Sequence, residues 1–387
     1  MNQTVSLTYH NLNAVHLAES GQGTIVGDFG EMFRSTDFGE TWFTQASGTT
    51  DALYSVSYPS PDTGFAVGGN GTVLSSVDGG VSWTPQTSGT TNWLYGVSFA
   101  DPMIGAAVGG QGTILRTVDG GVTWSQQVSG TTANLFGVHL VDVNIGLAAG
   151  DNGTVLRTSD GGGTWVPQFP GTAGTLYDVH LMNADTAVVL GVNGIFRTTN
   201  GGVSWNQVSY EQLYGLHFDG NVGTAVGWNV YSGGLIQRST DAGATWTLQS
   251  SSASSYLTKV FFLNPDTGIV VAGSGTILRT TSGGIVTTVV EDPSGRSVPT
   301  GLQLEQNFPN PFNPSTTIRF ALPAPSHVQL EVFTLLGQRT LTLLDEEVTT
   351  GTHSISWTPN YSVASGVYFC RLKSEGHSTV KRLVLLR

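Results

Sequence analysis

The sequence predicts an all-β protein in which a seven-bladed β-propeller of four-stranded blades is followed by a small Ig-like antiparallel β-sandwich. Three observations predict this fold class. A short segment containing Asp, Gly and Trp recurs about every 41 residues, and four strand patterns fit between its copies. The repetition then stops at a segment rich in Pro, Gly and Ser, and new alternating strand patterns begin beyond it. We therefore assign residues 1–287 to the propeller, 288–302 to a linker and 303–387 to the sandwich.

The recurring segment, here called the box, reads SVDGGVSW at residues 76–83 and TVDGGVTW at residues 117–124. An Asp that opens a tight turn accepts backbone N–H groups, and Gly supplies the positive φ that such a turn needs. The Trp that follows can cover the turn from the core side. We expect a structural role, because catalytic sites are rarely repeated around a ring. The predicted structural residues are Asp37, Trp42, Asp78, Trp83, Asp119, Trp124, Asp160, Trp165, Asn200, Trp205, Asp241 and Trp246.

Each box belongs to a larger repeat. Residues 94–132 divide into the strand patterns LYGVSF, GAAVGG, GTILRT and TWSQQV, which are separated by turn signals. One blade cannot bury both of its faces, so the blades must close into a ring. A degenerate box without Trp at residues 280–287 marks the seventh blade. Either residues 4–10 or residues 285–290 supply the last strand of that blade.

These boxes resemble the Asp-box, or BNR-type, repeats. The fuller pattern GxxGTILRTxDGGxTW, within residues 12–287, is similar to the photosystem II assembly and stability factor class of seven-bladed propellers. The resemblance is specific for the fold and weak for function, because sialidases, xyloglucanases and sorting receptors carry the same boxes. It implies an arginine-rich docking surface, which an acidic propeller does not favour.

The charge pattern argues against several classes of function. Residues 1–290 contain 7 Lys and Arg against 19 Asp and Glu, whereas residues 291–387 contain 8 of each kind. An acidic propeller is a poor partner for nucleic acid or an anionic membrane. The sequence has no apolar run of the ~18 residues that a membrane span needs, and its single cysteine, Cys370, excludes an intrachain disulfide. We expect no cofactor, no metal, no nucleic acid and no membrane insertion.

The second part resembles the type A C-terminal sorting domain of the type IX secretion system. Its most specific motif is NFPNPFNPSTTIRF, which begins at Asn307. The resemblance implies export to the cell surface or the medium, with the secretion machinery as partner. The chain start, MNQTVSLTYHNLN, has no signal-peptide pattern, so we expect the true start to lie upstream. The alternative is an ordinary Ig-like adhesion module. The matching residues include Asn307, Pro309, Asn310, Pro311, Phe312, Gly366, Tyr368, Lys381 and Arg382.

Two registers of the repeat place polar residues around the ring. Six arginines lie three residues before the Asp position of a box, and we interpret them as structural rather than as a carboxylate-binding triad: Arg34, Arg116, Arg157, Arg197, Arg238 and Arg279. Four histidines share one position of the innermost strands, where they could hold a metal or bond to the neighbouring blade: His16, His139, His180 and His217. We favour the bond between blades. Asp178 and Lys259, two residues earlier in the repeat, could pair or mark a channel ligand.

Aromatic residues predict a ligand surface on the face opposite the boxes. Tyr177 and Tyr214 belong to this face, together with an irregular turn in blade six, GWNVYSGG. Irregular positions in a regular array are where ligand sites tend to occur. The alternative is simple packing at the blade ends. The candidate ligand-binding residues are Trp93, Tyr95, Trp228, Asn229 and Tyr231.

Three functions remain open from the sequence. The leading hypothesis is a secreted or surface-bound, non-catalytic propeller that binds a glycan or a protein. A glycosidase would need two carboxylates about 5–10 Å apart, and the scattered candidates Asp28, Asp151, Asp178 and Glu211 lie in no motif. An assembly factor for a membrane complex is the third hypothesis, and the sorting domain argues against it.

Overall fold

The computed structural model divides the chain into two compact units, Met1–Pro293 and Ser294–Arg387. Within the described residues, no helix is long and apolar enough to cross a membrane. The structure describes residues 8–18, 20–229, 233–249, 253, 255–281, 289–290, 302–304, 307, 310, 312, 315–322, 324–335, 337–348, 351–359, 363–374 and 377–386.

The first unit is a β-propeller of seven four-stranded antiparallel sheets, which confirms the predicted fold class. Each sheet holds its strands in chain order, from the innermost to the outermost. Blades one to three contain β1 (Leu12–Leu17), β2 (Gly23–Gly27), β3 (Met32–Ser35), β4 (Phe43–Gln45), β5 (Leu53–Ser57), β6 (Gly64–Gly68), β7 (Val73–Ser76), β8 (Thr84–Gln86), β9 (Leu94–Phe99), β10 (Gly105–Gly109), β11 (Ile114–Thr117) and β12 (Ser125–Gln127).

The remaining blades repeat this plan. Blades four to seven contain β13 (Leu135–Leu140), β14 (Gly146–Gly150), β15 (Val155–Thr158), β16 (Val166–Gln168), β17 (Leu176–Leu181), β18 (Ala187–Gly191), β19 (Gly194–Thr198), β20 (Asn206–Ser209), β21 (Leu213–Asp219), β22 (Val222–Asn229), β23 (Gly233–Ser239), β24 (Thr247–Gln249), β25 (Leu257–Phe262), β26 (Thr267–Ala272), β27 (Ile277–Thr281) and β28 (Val289–Val290).

The ring closes between blades seven and one. One apolar core there joins Leu12, Ile25 and Trp42 of blade one to Ile269 of blade seven. The Thr258 hydroxyl donates to the carbonyl of Leu12 at 2.6 Å. Because these residues come from opposite ends of the repeat array, their packing removes the free ends that an open stack of blades would have.

The last strand of blade seven comes from the C-terminal side of the array. Val290 pairs with Ile277 and Val289 with Leu278, which corresponds to the second of the two predicted closures. Residues 4–7 and 285–288 lie outside the described residues, and residues 8–10 are not in a strand.

The two faces of the propeller have different turns. The turn after the second strand lies beside the connector that enters the same blade, and Gly110 N donates to the Trp93 carbonyl at 2.8 Å. The box lies at the opposite end, beside the turn after the first strand, and Gly120 N donates to the Met103 carbonyl at 3.0 Å. We call the first end the mouth face and the second the box face.

The mouth-face turns are tight because the chain there takes a left-handed conformation. In blade three, Gln111 has a φ of 55° and Gly112 a φ of 69°. A Cβ on Gly112 would lie 2.0 Å from the Thr131 carbonyl oxygen, so only glycine fits. These turns bring the entering connector against the innermost strand.

Every innermost strand carries a β-bulge at its second residue. The pairing of first and second strands shifts register at this position in all seven blades. A bulge leaves one residue unpaired and changes the direction of its side chain. The seven bulge residues are Asn13, Tyr54, Tyr95, Phe136, Tyr177, Tyr214 and Thr258.

The second unit is the predicted antiparallel β-sandwich. One sheet has the order β29 (Gln303–Leu304), β30 (Thr316–Leu322), β33 (Gly351–Trp357), and the other the order β32 (Arg339–Val348), β31 (Ser326–Thr334), β34 (Gly366–Ser374), β35 (His377–Leu385). The core between the sheets contains Phe312, Phe320, Leu330 and Trp357.

Candidate functional site

The mouth face carries a continuous arc of aromatic side chains, here called the aromatic arc. It consists of the bulge residues of blades two to six together with Trp93, which lies just before the third innermost strand. Centroids of contacting rings are 5.0–6.3 Å apart, within the range of offset and edge-to-face packing. The members are Tyr54, Trp93, Tyr95, Phe136, Tyr177 and Tyr214.

The aromatic arc is open to solvent. Trp93 is 48% exposed and the other members are half-buried. The hydroxyl of Tyr214 accepts a hydrogen bond from Gln212, whereas those of Tyr54, Tyr95 and Tyr177 have no partner among the described residues. These three phenols can therefore donate to or accept from a ligand.

Two carboxylates flank the aromatic arc. Burial is the main cause that raises the pKa of Tyr54 to about 12, and Tyr95 and then the carboxylate of Asp28 contribute in the same direction. Burial and then the charge of Asp151 likewise raise the pKa of Tyr95 and of Tyr177. The phenols thus stay neutral at physiological pH beside negative charge.

Neither carboxylate is paired with a cation among the described residues. Asp28 accepts from the amides of Asn11 and Asn13 at 2.9 and 3.0 Å. Asp151 accepts from the Asn134 amide at 3.0 Å and, at 2.9 Å, from a threonine hydroxyl. These bonds fix the orientation of both groups and leave their charges uncompensated.

The predicted ligand residues fall into two separate places. Trp93 and Tyr95 lie together in the aromatic arc. Trp228 and Asn229 end a strand of blade six, where the Asn229 amide is 3.5 Å from Glu211 Oε2. The first group belongs to blade three and the second to blade six, and Tyr231 lies outside the described residues. The residues that sequence reasoning missed are Tyr54 and Phe136, although they occupy the same repeat position as Tyr95.

Below the aromatic arc, an ion pair spans three blades. Lys259 Nζ lies 2.6 Å from Asp178 Oδ2, and the same oxygen accepts from Leu216 N at 2.7 Å. The pair passes over Gly215 of the intervening blade, where a Cβ would approach the Lys259 backbone to 2.8 Å. Of the two roles predicted for Asp178 and Lys259, the ion pair is therefore the one that the structure shows.

The histidine register joins neighbouring blades. The Nδ1 atoms of His139 and His217 each accept a backbone N–H of the next blade at 3.2 Å. Ser98, at the same position in blade three, accepts the equivalent N–H of Leu140 at 3.0 Å. The rings of His139 and His180 stack at 4.2 Å. No cluster of three or more metal-ligating side chains occurs in the described parts of the chain.

Acid is expected to destabilise the propeller through these histidines. Burial lowers the pKa of His16 and of His139 from 6.5 to about 4 and that of His217 to about 3, and it places that of His180 well below its usual value. The unfolded chain therefore binds protons first, and stability that is complete above pH 6.5 is lost as the pH falls toward 4. Each histidine contributes a slope of up to about 1.4 kcal/mol per pH unit.

Urea unfolding at pH 7.5 and pH 5 measures this loss. We expect the variant His139→Ser with His217→Ser to lose less stability on acidification, because serine keeps the acceptor that Ser98 provides. The same loss in the variant as in the natural chain would contradict the histidine assignment.

The boxes share one hydrogen-bond pattern. In blade two, Asp78 Oδ1 accepts from the Ser76 hydroxyl at 2.8 Å and from Ser82 N at 2.9 Å, and Oδ2 accepts from the Ser82 hydroxyl at 2.6 Å. The hydroxyl of Ser82 is the main cause that lowers the pKa of Asp78 to about 2. The same hydrogen bonds hold Asp37, Asp119, Asp160 and Asp241. Asn200 has an amide nitrogen in place of the second carboxylate oxygen, and this nitrogen donates to the Ser204 hydroxyl.

The box tryptophans pack between blades. Trp83 shares an apolar core with Val26 and Met32 of blade one, and Trp124 contacts Phe65 of the preceding blade at 6.2 Å. Trp42, Trp83 and Trp165 are buried, whereas Trp124, Trp205 and Trp246 are partly buried.

The arginines before the boxes also connect blades. Arg116 Nε donates to the Gly161 carbonyl in the next box at 2.7 Å, and Arg34, Arg197 and Arg279 make the equivalent bond. Arg157 and Arg238 donate instead to a turn of the next blade. Ser75 takes the arginine position in blade two. These contacts support a structural role rather than a basic docking surface.

In the sandwich, the motif at residues 307–312 meets the last strand. Asn310 Oδ1 accepts from Val384 N at 2.8 Å, and Phe312 N donates to the Val384 carbonyl at 2.9 Å. Asn307 is buried and its amide donates to Thr316 at 2.9 Å. Pro309 and Pro311 lie outside the described residues. Tyr368 is buried, Gly366 begins β34, and Lys381 and Arg382 lie on β35.

Two family descriptions match the chain. Residues 76–215 match "Photosynthesis system II assembly factor YCF48", and residues 306–386 match "Secretion system C-terminal sorting domain". Among curated proteins, none matches the chain.

Three similar solved structures support the fold. "YCF48 bound to D1 peptide" has 18% identity and a TM-score of 0.61, covering 72% of this chain and 94% of that one. YCF48 from Cyanidioschyzon merolae has 20% identity and a TM-score of 0.59, covering 73% and 98%. The GH74 enzyme of Niastella koreensis has 13% identity and a TM-score of 0.59, covering 98% and 73%.

At these identities the similarity establishes the fold alone. The family matches cover part of the propeller and nearly all of the sandwich. They agree with what the boxes and the NFPNPF motif predict for each unit. The chain thus combines a seven-bladed Asp-box propeller, similar to the YCF48-type photosystem II assembly factor repeats, with a type IX secretion system C-terminal sorting domain.

Proposed function

We propose that this protein is exported by the type IX machinery and that its propeller is a non-catalytic module which binds a glycan or a protein at the mouth face. The aromatic arc is the observation that carries this proposal. Bulges in consecutive blades direct aromatic side chains to one surface, where three phenol hydroxyls have no partner among the described residues. Exposed aromatic surface with polar groups is the usual composition of a recognition site.

Export is supported by the sorting domain, which indicates delivery to the cell surface or the medium. A protein ligand is supported by the solved YCF48 propeller, which is bound to a peptide. A glycan is supported by the aromatic side chains, whose flat apolar faces and polar edges suit sugar rings.

A non-catalytic role is supported by the mouth-face carboxylates. Asp28 and Asp151 lie in turns of different blades, one and four, and asparagine amides fix the orientation of each. Similarity to the GH74 enzyme makes glycoside hydrolysis the second candidate. Incubation with xyloglucan and other β-glucans should release no reducing ends. Release that Asp28→Asn or Asp151→Asn abolishes would favour the enzyme.

Removing two members of the aromatic arc should weaken binding without unfolding the propeller. We expect the variant Trp93→Ala with Tyr95→Ala to lose affinity by about tenfold or more, as central aromatic contacts do. Binding of the labelled protein to glycan arrays and to surface proteins of the host measures this loss.

The matched control is Phe43→Ala. Phe43 is 45% exposed, close to the 48% of Trp93, but it begins the outermost strand of blade one near the box. It should bind normally. Unchanged affinity in the Trp93 and Tyr95 variant, or equal losses in both variants, would exclude the aromatic arc. A selective loss in Trp228→Ala would instead place the site in blade six.

A further inference from the structure

We infer that the ligand of the mouth face is a basic peptide segment of a partner protein, whose Lys or Arg side chains lie on the aromatic arc between Asp28 and Asp151. This inference rests on the proposed function and makes its ligand class specific. It follows from the separation of charges between the two faces, from the bonding of the two carboxylates and from the chemistry of the aromatic rings.

The cations of the propeller all lie away from the mouth face. Six of the 7 Lys and Arg residues within positions 1–290 are the arginines that precede the boxes, and they connect blades at the box face. The seventh, Lys259, is bound to Asp178 inside the channel. Among the described residues, the mouth face therefore offers a ligand no Lys or Arg, and His10 there is hydrogen-bonded to Glu31.

The mouth face does carry negative charge. Asp28 lies in the turn of blade one and Asp151 in that of blade four, so the two carboxylates lie at different points around the channel opening. Both accept only neutral donors within the described parts of the chain. Burial is the main cause that raises the pKa of the mouth-face tyrosines, and the carboxylates act in the same direction. Asp28 contributes to the raised pKa of Tyr54 and Tyr256, and Asp151 to that of Tyr95 and Tyr177.

The aromatic rings favour the same kind of ligand. A guanidinium or ammonium group over the face of Tyr or Trp is attracted by the negative face of the ring, more strongly when it is partly desolvated. Carboxylates at the edge of such a surface add attraction for a cation and repel an anion. A neutral sugar could stack on the rings and donate hydroxyl hydrogen bonds to the carboxylates, but it would not compensate their charges. The uncompensated charges therefore favour a basic peptide over a neutral glycan.

The test uses the full chain and two peptides that differ only in charge. The probe is an acetylated, amidated octapeptide of alternating arginine and glycine, and its counterpart contains citrulline in place of arginine. We expect the arginine peptide to bind at least about tenfold more tightly by calorimetry at low salt. Raising the ionic strength from ~20 mM to ~300 mM shortens the screening length from about 20 Å to about 6 Å and should remove most of that difference.

Variants locate the binding site. Asp28→Asn with Asp151→Asn should lower affinity for the arginine peptide about tenfold. Asp101→Asn with Asp142→Asn removes the same charge from box-face turns, where each Oδ1 accepts two backbone N–H groups. This control should bind within about twofold of the natural chain, because Asp101 and Asp142 lie in turns at the opposite end of the blades from the aromatic arc.

Three results would overturn the inference: equal affinity for the citrulline peptide, a loss in the box-face control as large as in the mouth-face variant, or failure of the arginine peptide to bind. If glycans or other proteins still bind and the Trp93 and Tyr95 variant weakens them, the proposed function stands and only the ligand class is wrong. If mouth-face variants affect no ligand, both proposals fail.

Discussion

Deletion of residues 378–387 is expected to retain the protein in the periplasm with its propeller still folded. The deletion removes nearly all of β35, which pairs with β34 along its whole length. It also removes the partners of Asn310 and Phe312, so the motif at residues 307–312 loses the strand against which it is held. The opened sheet edge leaves unpaired backbone groups and disrupts the sandwich.

Fractionation of a type IX-competent host, in which the chain follows a functional signal peptide, measures the outcome. Protease resistance of the periplasmic species reports the folded propeller. Asn310→Ala should reduce export more mildly, because it breaks only the side-chain bonds to Arg382 and Val384. Gln329→Ala, which alters an exposed contact to Asp345 on the same sheet, is the control and should be exported normally. Equal surface delivery of the deletion variant would leave an ordinary adhesion module.

Replacement of a box tryptophan should cost far more stability than replacement of the neighbouring arginine. Trp124 packs edge to face against Phe65 and Phe99 at 6.2 and 5.9 Å, and it bridges blades two and three. Blade two has Ser75 where other blades have the arginine that bonds to the next blade. No arginine of this kind therefore supports the interface between blades two and three, where Trp124 packs. We expect Trp124→Ala to lower the free energy of unfolding by about 3–5 kcal/mol.

Arg116→Ala is the matched variant. It removes the bond from Nε to the Gly161 carbonyl, and a single hydrogen bond is worth about 1 kcal/mol. Chemical denaturation of the two variants, beside the natural chain, gives both values. Equal losses would remove the structural interpretation of the box, since that interpretation makes the tryptophan a core residue and the arginine a surface connector.

The repeat could be predicted because its chemistry is local. The pattern LYGVSF at residues 94–99 matches β9, and GAAVGG matches β10 to within one residue. The fourth strand begins one residue after Trp124 rather than before it. The reason is that Trp124 is the last residue of the box, where its ring packs against Phe65 and Phe99. The family comparisons confirm the recognition of both units.

The candidate site could be predicted only in part. Trp93 and Tyr95 were identified as aromatic residues of an exposed face, but Tyr54 and Phe136 were not, although the repeat puts them at the position of Tyr95. What the sequence does not indicate is the β-bulge at this position. The bulge residues of the aromatic arc are about 41 residues apart, and their contact depends on the packing of adjacent blades. The pairing of Asp178 with Lys259 depends in the same way on an intervening glycine that only the fold brings between them.

The hydrogen bonds that arginines make between blades affect how the propeller unfolds. The bond from Arg279 to the Phe38 carbonyl joins the last blade to the first with the geometry that Arg34 uses toward Gly79 one blade later. A linear repeat array can lose units one at a time from its ends, and each step breaks one interface. A ring closed by equivalent bonds has no end, so releasing any blade breaks two interfaces at once. Outside the cell, where proteases act on partly opened chains, this makes early cleavage of the propeller a rare event.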